Sequence, residues 1–268
     1  MNLRIGVCSW SFAGILRGSR PIEEITRKAY GAGFYSFEAA YNRRAPLSIR
    51  QNPPDSNAAS ITSLATLELH RFHLTDPVAT RRQNALDTVS AMIDCAARSQ
   101  IPSISFSPGR LREGQEVERV LDALADDLAP LVEESKKMGV TVALENLPGH
   151  LLVRRAAMLG ILERLPDARV CLDIGNTLFD PPFSEWVRLL STKIFKLHIS
   201  DGDICGGMFH ARKPGQGKVD WGSVLDEVKK IDRDVDAFVE MPLTDGEDET
   251  ELLSSLSSSV RVLFRSWL

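Results

Sequence analysis

The chain has 268 residues, of which 43% are apolar and 25% are charged, and its formal net charge is -4. This is an ordinary globular composition, with enough chain for a large core. No run of five or more basic residues occurs, which argues against a nucleic-acid-binding surface, and no apolar run is long enough to span a bilayer. The N-terminal residues lack the pattern of a signal peptide, so we expect a cytoplasmic protein with reduced cysteines.

Short segments rich in β-forming residues recur along the chain and are predicted as strands. In chain order they cover residues 3–8, 34–38, 61–69, 103–107, 140–144, 169–173, 193–199 and 237–241.

Helical patterns lie between most of these strands. Residues 116–138 place apolar side chains on one face at steps of mostly three and four, although Pro130 predicts a kink or a break. Asp76 and Pro77 are predicted to begin another helix, as N-cap and first helical residue. Two more helices are predicted at 221–231 and 249–268, and residues 42–60 form the weakest candidate.

Alternating strands and helices without a break in composition indicate a parallel sheet with right-handed crossovers. Eight such units in a chain of this length predict an α/β fold, a (β/α)8 barrel, as a single domain over residues 1–268. The alternative is an open doubly wound sheet, but no GxGxxG motif follows the first strand.

Four successive predicted strands carry a potential metal ligand at or near their C-terminal ends. These residues are Glu145, Asp173, His198 and Glu240. Since the C-terminal strand ends of a barrel share one mouth, we expect the four side chains to converge there. Three carboxylates and one imidazole suit Mn, Mg, Co or Zn, with coordination positions left for a substrate. Any one of these residues alone is better explained as a helix cap or an ion-pair partner.

At these residues the sequence resembles the xylose isomerase-like TIM barrels. The motifs are EN at Glu145, LDIGN from Leu172, KLHISD from Lys196 and VEMP from Val239, with GVCSWSF, HRFHLTDP, SPG and PGQGKVDW as further landmarks. More narrowly, the chain resembles the sugar phosphate isomerase/epimerase family, whose relatives include ketose 3-epimerases, inosose dehydratases, keto-inositol isomerases and endonuclease IV. No single motif is highly specific, but the ordered set covers nearly the whole chain.

The resemblance implies one divalent metal ion held by Glu145, Asp173, His198 and Glu240, with Glu145 and Glu240 also acting as acid and base. The implied activity is isomerisation or epimerisation of a ketose, ketose phosphate or keto-inositol, by proton transfer through an enediolate. Alternatives are a dehydratase of a keto-polyol on the same scaffold, a nuclease like endonuclease IV, or a sugar-binding barrel without catalysis. The nuclease alternative is weakened because Ser107 and Asn176 stand where those enzymes have histidines.

Further residues near the strand ends are candidates for substrate binding. Trp10 follows the first strand, Glu38 ends the second and His70 follows the third. In the later part of the chain the candidates are Asn176, His210 and Arg212. We expect a small sugar or polyol as the binding partner and neither a membrane nor a nucleic acid, and we leave a homo-oligomer open.

Overall fold

The computed structural model of the protein describes residues 3–13, 20–43 and 56–265. In these residues the chain forms ten strands: β1 (Leu3–Cys8), β2 (Ser36–Ala40), β3 (Ser60–Ala65), β4 (Ser103–Phe106), β5 (Thr141–Glu145), β6 (Arg169–Asp173), β7 (Ile194–Ile199), β8 (Asp201–Cys205), β9 (Met208–Arg212) and β10 (Val235–Val239). The seven α-helices of the same residues are α1 (Ile22–Gly31), α2 (Ala79–Arg98), α3 (Val117–Lys137), α4 (Arg155–Arg164), α5 (Phe183–Leu190), α6 (Trp221–Val228) and α7 (Glu249–Leu263).

Eight of the strands close into a parallel barrel, in the order β1-β10-β7-β6-β5-β4-β3-β2. The barrel closes between β10 and β2 through β1, which pairs with both in parallel register. The predicted (β/α)8 barrel is therefore confirmed. Because all eight strands run in the same direction, their C-terminal ends lie at one mouth. No helix formed by the described part of the chain is long and apolar enough to cross a membrane.

The helices bury an apolar stripe against the outside of the sheet. In α3 the buried face includes Leu121, Leu124, Leu128 and Val132, which repeat at the three- and four-residue spacing of a helix. The break predicted at Pro130 does not occur, because α3 continues through this exposed position to Lys137. The missing N–H and the proline ring affect only one side of the helix, and here that side faces solvent.

Several local predictions differ from the structure. Strand β2 lies two residues later than predicted, and β3 ends four residues earlier, at Ala65. Helix α2 begins at Ala79 with Val78 as its N-cap, two residues later than expected. The carboxylate of Asp76 instead accepts a hydrogen bond from the Val78 amide at 2.9 Å, so Asp76 closes a turn ahead of the helix. The antiparallel hairpin of β8 and β9 was not predicted, and its tip is formed by Gly206 and Gly207, both with positive φ.

The weak helix predicted within 42–60 falls largely on residues 44–55, which lie outside the described residues.

Candidate metal centre

Four side chains converge at the mouth of the barrel. Glu145 ends β5, Asp173 ends β6, His198 lies one residue before the end of β7, and Glu240 directly follows β10. One potential ligand atom from each side chain lies within 4.8 Å of the others. The imidazole Nδ1 of His198 is 2.7 Å from Oε2 of Glu240 and 3.4 Å from Oε1 of Glu145. The structure thus brings together the four residues that the sequence singled out.

The register of the sheet explains this convergence. Asp173 is aligned with His198 across β6 and β7, and His198 is aligned with Phe238 across β7 and β10. Glu240 lies two residues beyond Phe238, so its side chain leaves the backbone on the same side as that of Phe238. Neighbouring strands therefore place their polar ends at nearly the same height in the barrel.

Two buried polar atoms in this group lack a hydrogen-bond partner. They are Nδ1 of His198 and Oε2 of Glu240, the two atoms that lie 2.7 Å apart. Leaving buried polar atoms unsatisfied costs free energy, and such atoms in a native structure call for an explanation. A divalent cation coordinated by both atoms would satisfy them, and the set of three carboxylates and one imidazole fits such an ion. The residues present therefore match the metal that the resemblance implies.

Asp173 is held rigidly by three neighbours. Its Oδ1 accepts hydrogen bonds from the hydroxyl of Ser200 at 2.5 Å and from the backbone amide of Asn176 at 2.7 Å. Its backbone N–H donates to the side-chain carbonyl of Asn146 at 2.7 Å, and the Asn146 amide donates back to the Asp173 carbonyl at 3.0 Å. These contacts fix Oδ1, so Oδ2 is the oxygen left for coordination.

The carboxylates in the group disfavour one another's ionised forms. Burial, with repulsion from Glu240 as the next contribution, raises the pKa of Asp173 to about 8. Burial likewise raises the pKa of Glu240, although His198 acts in the opposite direction. Closely spaced, buried carboxylates behave in this way when no cation compensates them.

Glu38 has a different environment from the one expected of a substrate ligand. It is only 1% exposed, and its carboxylate contacts Nε2 of His198 at 2.7 Å and the ammonium group of Lys196. Burial on its own would raise the pKa of Glu38, but the charge of Lys196 and the contact with His198 bring it well below its usual range. Glu38 lies inside the barrel, in contact with the candidate ligand His198. The expected substrate contact at Glu38 does not fit this burial.

The histidines that follow β3 separate into two environments. His73 is 4% exposed, and its Nδ1 accepts a hydrogen bond from the Arg110 amide at 3.2 Å. Gly109, with φ of +123°, lies so close to this ring that a Cβ would collide with it. His70 is exposed, and its ring lies 5.2 Å from that of His150. Of the two, only His70 remains open to a substrate.

His150 joins this cluster from the end of β5. Its Nδ1 lies 3.0 Å from the hydroxyl of Ser107, and burial lowers the pKa of His150 to about 3. The serine of the SPG motif after β4 therefore contacts His150, and the glycine of the motif packs against His73. These contacts with neutral histidines account for both residues.

Trp10 lines a cavity of about 660 Å³ at the C-terminal ends of β1, β2 and β3. Its other described lining residues include Tyr41, Arg43, Glu68 and Phe72. None of the four converging residues is among the described residues that line it, so this cavity lies to the side of the candidate centre.

The hairpin of β8 and β9 carries the remaining two candidates. His210 and Arg212 are both exposed on β9, and the guanidinium Nε of Arg212 pairs with Asp203 at 3.1 Å. Asn176 is 5% exposed, and its backbone amide supports Asp173 as described above. The substrate contacts expected of these three residues stay predictions.

Asp201 anchors this hairpin to the barrel. Its buried carboxylate accepts five hydrogen bonds, from the amides of Gly202, Gly215, Gly217 and Val219 and from the indole of Trp221. A Cβ at Gly217 would collide with this carboxylate. The PGQGKVDW motif is therefore explained by the way its backbone wraps Asp201.

The sequence interpretation missed the residues that support the ligands, namely Asn146, Ser200 and Lys196. A signal for Lys196 was present, because this charged residue sits two positions before His198 in the apolar strand β7. Residues two apart on a strand point to the same side, so Lys196 had to share the barrel interior with His198. Asn146 and Ser200 act through hydrogen bonds to a neighbouring strand end, which no spacing rule predicts.

Comparisons with known proteins agree with this architecture. L-ribulose 3-epimerase superimposes with a TM-score of 0.79 at 16% identity, covering 100% of this chain and 96% of that chain. The IOLI protein, in a crystal structure with a bound zinc atom, superimposes with a TM-score of 0.79 at 15% identity, covering 99% of each chain. The 3-keto-D-glucoside 4-epimerase YcjR from E. coli gives 0.74 at 16% identity, covering 98% of this chain and 100% of that chain.

Among curated proteins, none matches the sequence. The model of one protein family, described as xylose isomerase-like TIM barrel, matches residues 27–259. This match spans most of the chain and agrees with the closed barrel. The protein belongs to the xylose isomerase-like TIM barrel family.

Proposed function

We propose that the protein is a divalent-metal-dependent isomerase or epimerase that acts on a ketose, a ketose phosphate or a keto-inositol. The observation that carries this proposal is the convergence of Glu145, Asp173, His198 and Glu240, with two buried polar atoms left without a hydrogen bond. A barrel without chemistry would gain nothing from three mutually repelling carboxylates at its mouth.

The residues suited to hold the ion are the three carboxylates and Nδ1 of His198. When bound, a divalent cation supplies Lewis acidity to a carbonyl and its neighbouring hydroxyl, which makes the intervening C–H more acidic. The hydrogen bonds from Ser200 and Asn176 keep Asp173 in one orientation, and this lowers the cost of ordering the site when a ligand binds.

Glu145 and Glu240 are the two members of the group that a substrate can reach. Their side chains are 11% and 22% exposed, whereas that of His198 is 1% exposed. One glutamate takes the proton from the carbon next to the carbonyl, and the other returns a proton from the opposite face. Return to the same carbon inverts its configuration. Return to the former carbonyl carbon moves the carbonyl, with the hydroxyl proton of the first carbon passing to the former carbonyl oxygen.

The structural neighbours support this choice of substrate class. Two of them are epimerases of a ketose and of a keto-glucoside, and a third, the IOLI protein, carries zinc. At 15–16% identity they establish the fold. The reaction is inferred from the side chains at the mouth. Trp10, His70, Asn176, His210 and Arg212 are proposed to contact the bound sugar.

Solvent exchange tests the proposed reaction. The metal-loaded protein is incubated in deuterated water with a panel of ketoses, ketose phosphates and keto-inositols. Deuterium should appear at the carbon next to the carbonyl of at least one compound, and a chelator should stop its incorporation. Formation of a product without label, or labelling that persists after complete removal of metal, would refute the proposed proton transfer.

A further inference from the structure

A chain of buried polar contacts leads from His198 into the barrel interior. Nε2 of His198 lies 2.7 Å from Oε1 of Glu38, and Oε2 of Glu38 contacts the ammonium group of Lys196. Lys196 is 0% exposed and also donates to the hydroxyls of Ser63 and Ser105, the latter at 2.8 Å. The three N–H bonds of the ammonium group are thus matched by three oxygen acceptors.

We propose that Glu38 and Lys196 are positioning residues, which orient the imidazole of His198 so that its Nδ1 faces the metal. This assignment rests on the metal centre of the proposed function. Glu38 acts on the imidazole directly, and Lys196 acts through Glu38.

The geometry sets which nitrogen of His198 is free. The carboxylate of Glu38 is an acceptor, so the nitrogen that faces it at 2.7 Å carries the hydrogen. A neutral imidazole then has its lone pair on the other nitrogen. That nitrogen is Nδ1, which lies 2.7 Å from Glu240 and has no hydrogen-bond partner. Partners of this kind fix the ring orientation of metal-bound histidines and raise their basicity.

The charge of Lys196 explains how a fourth carboxylate is tolerated so close to the other three. Glu38 alone would add a buried negative charge to the group, and an uncompensated buried charge is strongly unfavourable. Lys196 pairs with the other carboxylate oxygen of Glu38, Oε2, and its ammonium nitrogen also lies 5.6 Å from the centre of the Phe238 ring. The pair places an acceptor beneath His198 without a net charge.

Cys8, Glu38 and His198 also lie close enough together to suggest a second metal site. Two observations argue against it. The ammonium group of Lys196 contacts Glu38 and would repel a second cation. The nitrogen of His198 on this side lies 2.7 Å from the Glu38 carboxylate, and as a donor to that acceptor it has no lone pair to offer. Cys8, Glu38 and His198 therefore do not form a second metal site. Glu38 instead supports the candidate centre at the barrel mouth.

Two double variants separate the effect of the hydrogen-bond acceptor at position 38 from the effect of the buried charges at positions 38 and 196. Glu38→Gln with Lys196→Met keeps a carbonyl oxygen beneath His198 but removes both charges. Glu38→Leu with Lys196→Met removes the acceptor as well, at similar volume. Because neither leaves an unpaired buried charge, both are designed to fold, and circular dichroism checks that they do. Asp236→Asn is the control, since it breaks the ion pair of Asp236 with Arg4 at the opposite end of β10.

The measurements are the Kd for Co²⁺, from competition with a chelator, and the visible spectrum of the Co²⁺ form. The Leu/Met variant should bind Co²⁺ about 10–100-fold more weakly than the wild type. Its spectrum should also change, because the imidazole is free to rotate. The Gln/Met variant should recover most of the affinity and the wild-type spectrum, and Asp236→Asn should leave both unchanged.

Equal affinities and identical spectra for the two double variants would overturn the positioning role. Failure of the wild-type protein to bind Co²⁺ is a different result, because it would overturn the metal centre itself and this assignment with it.

Discussion

Nδ1 of His198 lies 2.7 Å from Oε2 of Glu240, and neither atom has a hydrogen-bond partner although both are buried. When the imidazole is neutral and donates its hydrogen to Glu38, each atom is an acceptor, so the two repel each other unless a proton or a metal cation lies between their lone pairs. Through this contact, the buried pair of Glu38 and Lys196 is connected to the carboxylates at the barrel mouth, where the proposed chemistry takes place.

Metal binding should stabilise the folded protein. An ion that binds only the folded state adds RT ln(1 + [L]/Kd), or about 2.7 kcal/mol at 100 times Kd. Mn²⁺ or Co²⁺ added to chelator-treated protein should therefore raise Tm by several degrees in differential scanning fluorimetry. Mg²⁺ or Zn²⁺ should act in the same direction to different extents. The variant Asp173→Asn is expected to lose most of this increase, and an equal increase in wild type and variant would place the ion elsewhere.

Replacing either reactive glutamate with glutamine should separate binding from proton transfer. The amide keeps an oxygen that can still coordinate a metal, but it cannot exchange a proton. Glu145→Gln and Glu240→Gln should each reduce solvent exchange by about two to four orders of magnitude. Single-turnover exchange with metal-loaded protein is the measurement, and Glu68→Gln, at the side cavity, is the matched control. Wild-type exchange by a metal-loaded Glu240→Gln variant would reduce Glu240 to a structural ligand.

Asn176→Ala should affect substrate binding more than chemistry. The backbone amide that supports Asp173 is kept in this variant, so the metal centre should remain intact. We expect a raised KM or a changed substrate preference, with a smaller effect on kcat. A fall in kcat as large as that of Glu145→Gln, with KM unchanged, would contradict this role.

The stability of the metal-free protein should fall as pH rises. The pKa of Asp173 is raised from 3.8 to about 8, so its protonated form is favoured by folding. This contribution is complete below the ordinary pKa and is lost as pH rises through about 8. Urea unfolding of chelator-treated protein at pH values between about 4 and about 9 measures the slope. Asp173→Asn should have a shallower slope, and identical slopes for the two proteins would contradict the raised pKa.

Asp201 should be essential for the hairpin and the PGQG segment. Asp201→Ala removes the acceptor of five hydrogen bonds, and each buried donor left unsatisfied costs about 1–3 kcal/mol. The free energy of unfolding should therefore fall by about 3 kcal/mol or more. Asp203→Ala, which breaks only the exposed pair with Arg212, should cost less than about 1 kcal/mol. Similar losses for the two variants would show that the Asp201 network has little energetic weight.

The sequence predicted the barrel because periodicity and turn signals act locally. The limits of β1 and β6 agree with the predicted strands 3–8 and 169–173. The four converging residues were also found, since a strand end is a position that both the sequence and a parallel barrel define. The hairpin of β8 and β9 was missed because its short strands carry no apolar alternation strong enough to separate them from a glycine-rich loop.

The role of Glu38 could not be obtained from its position on β2. The sequence placed Glu38 at the end of its strand, whereas β2 continues to Ala40. The partner that pulls its side chain inward, Lys196, lies 158 residues away. Long-range charge pairing of this kind depends on the closed barrel and leaves no local pattern. The hydrogen bonds of Asp173 to Asn146 and Ser200 also leave no local pattern, because they connect the ends of three strands, β5, β6 and β7.

Anomalous diffraction from a crystal grown with Mn²⁺ or Co²⁺ would locate the bound ion and its ligand atoms. We expect one strong anomalous peak per chain, bonded to carboxylate oxygens of Glu145, Asp173 and Glu240 and to Nδ1 of His198, with Nε2 of His198 still in contact with Glu38. A peak elsewhere, a peak bonded to Nε2, or no peak from protein shown to bind the metal in solution would contradict the proposed metal centre.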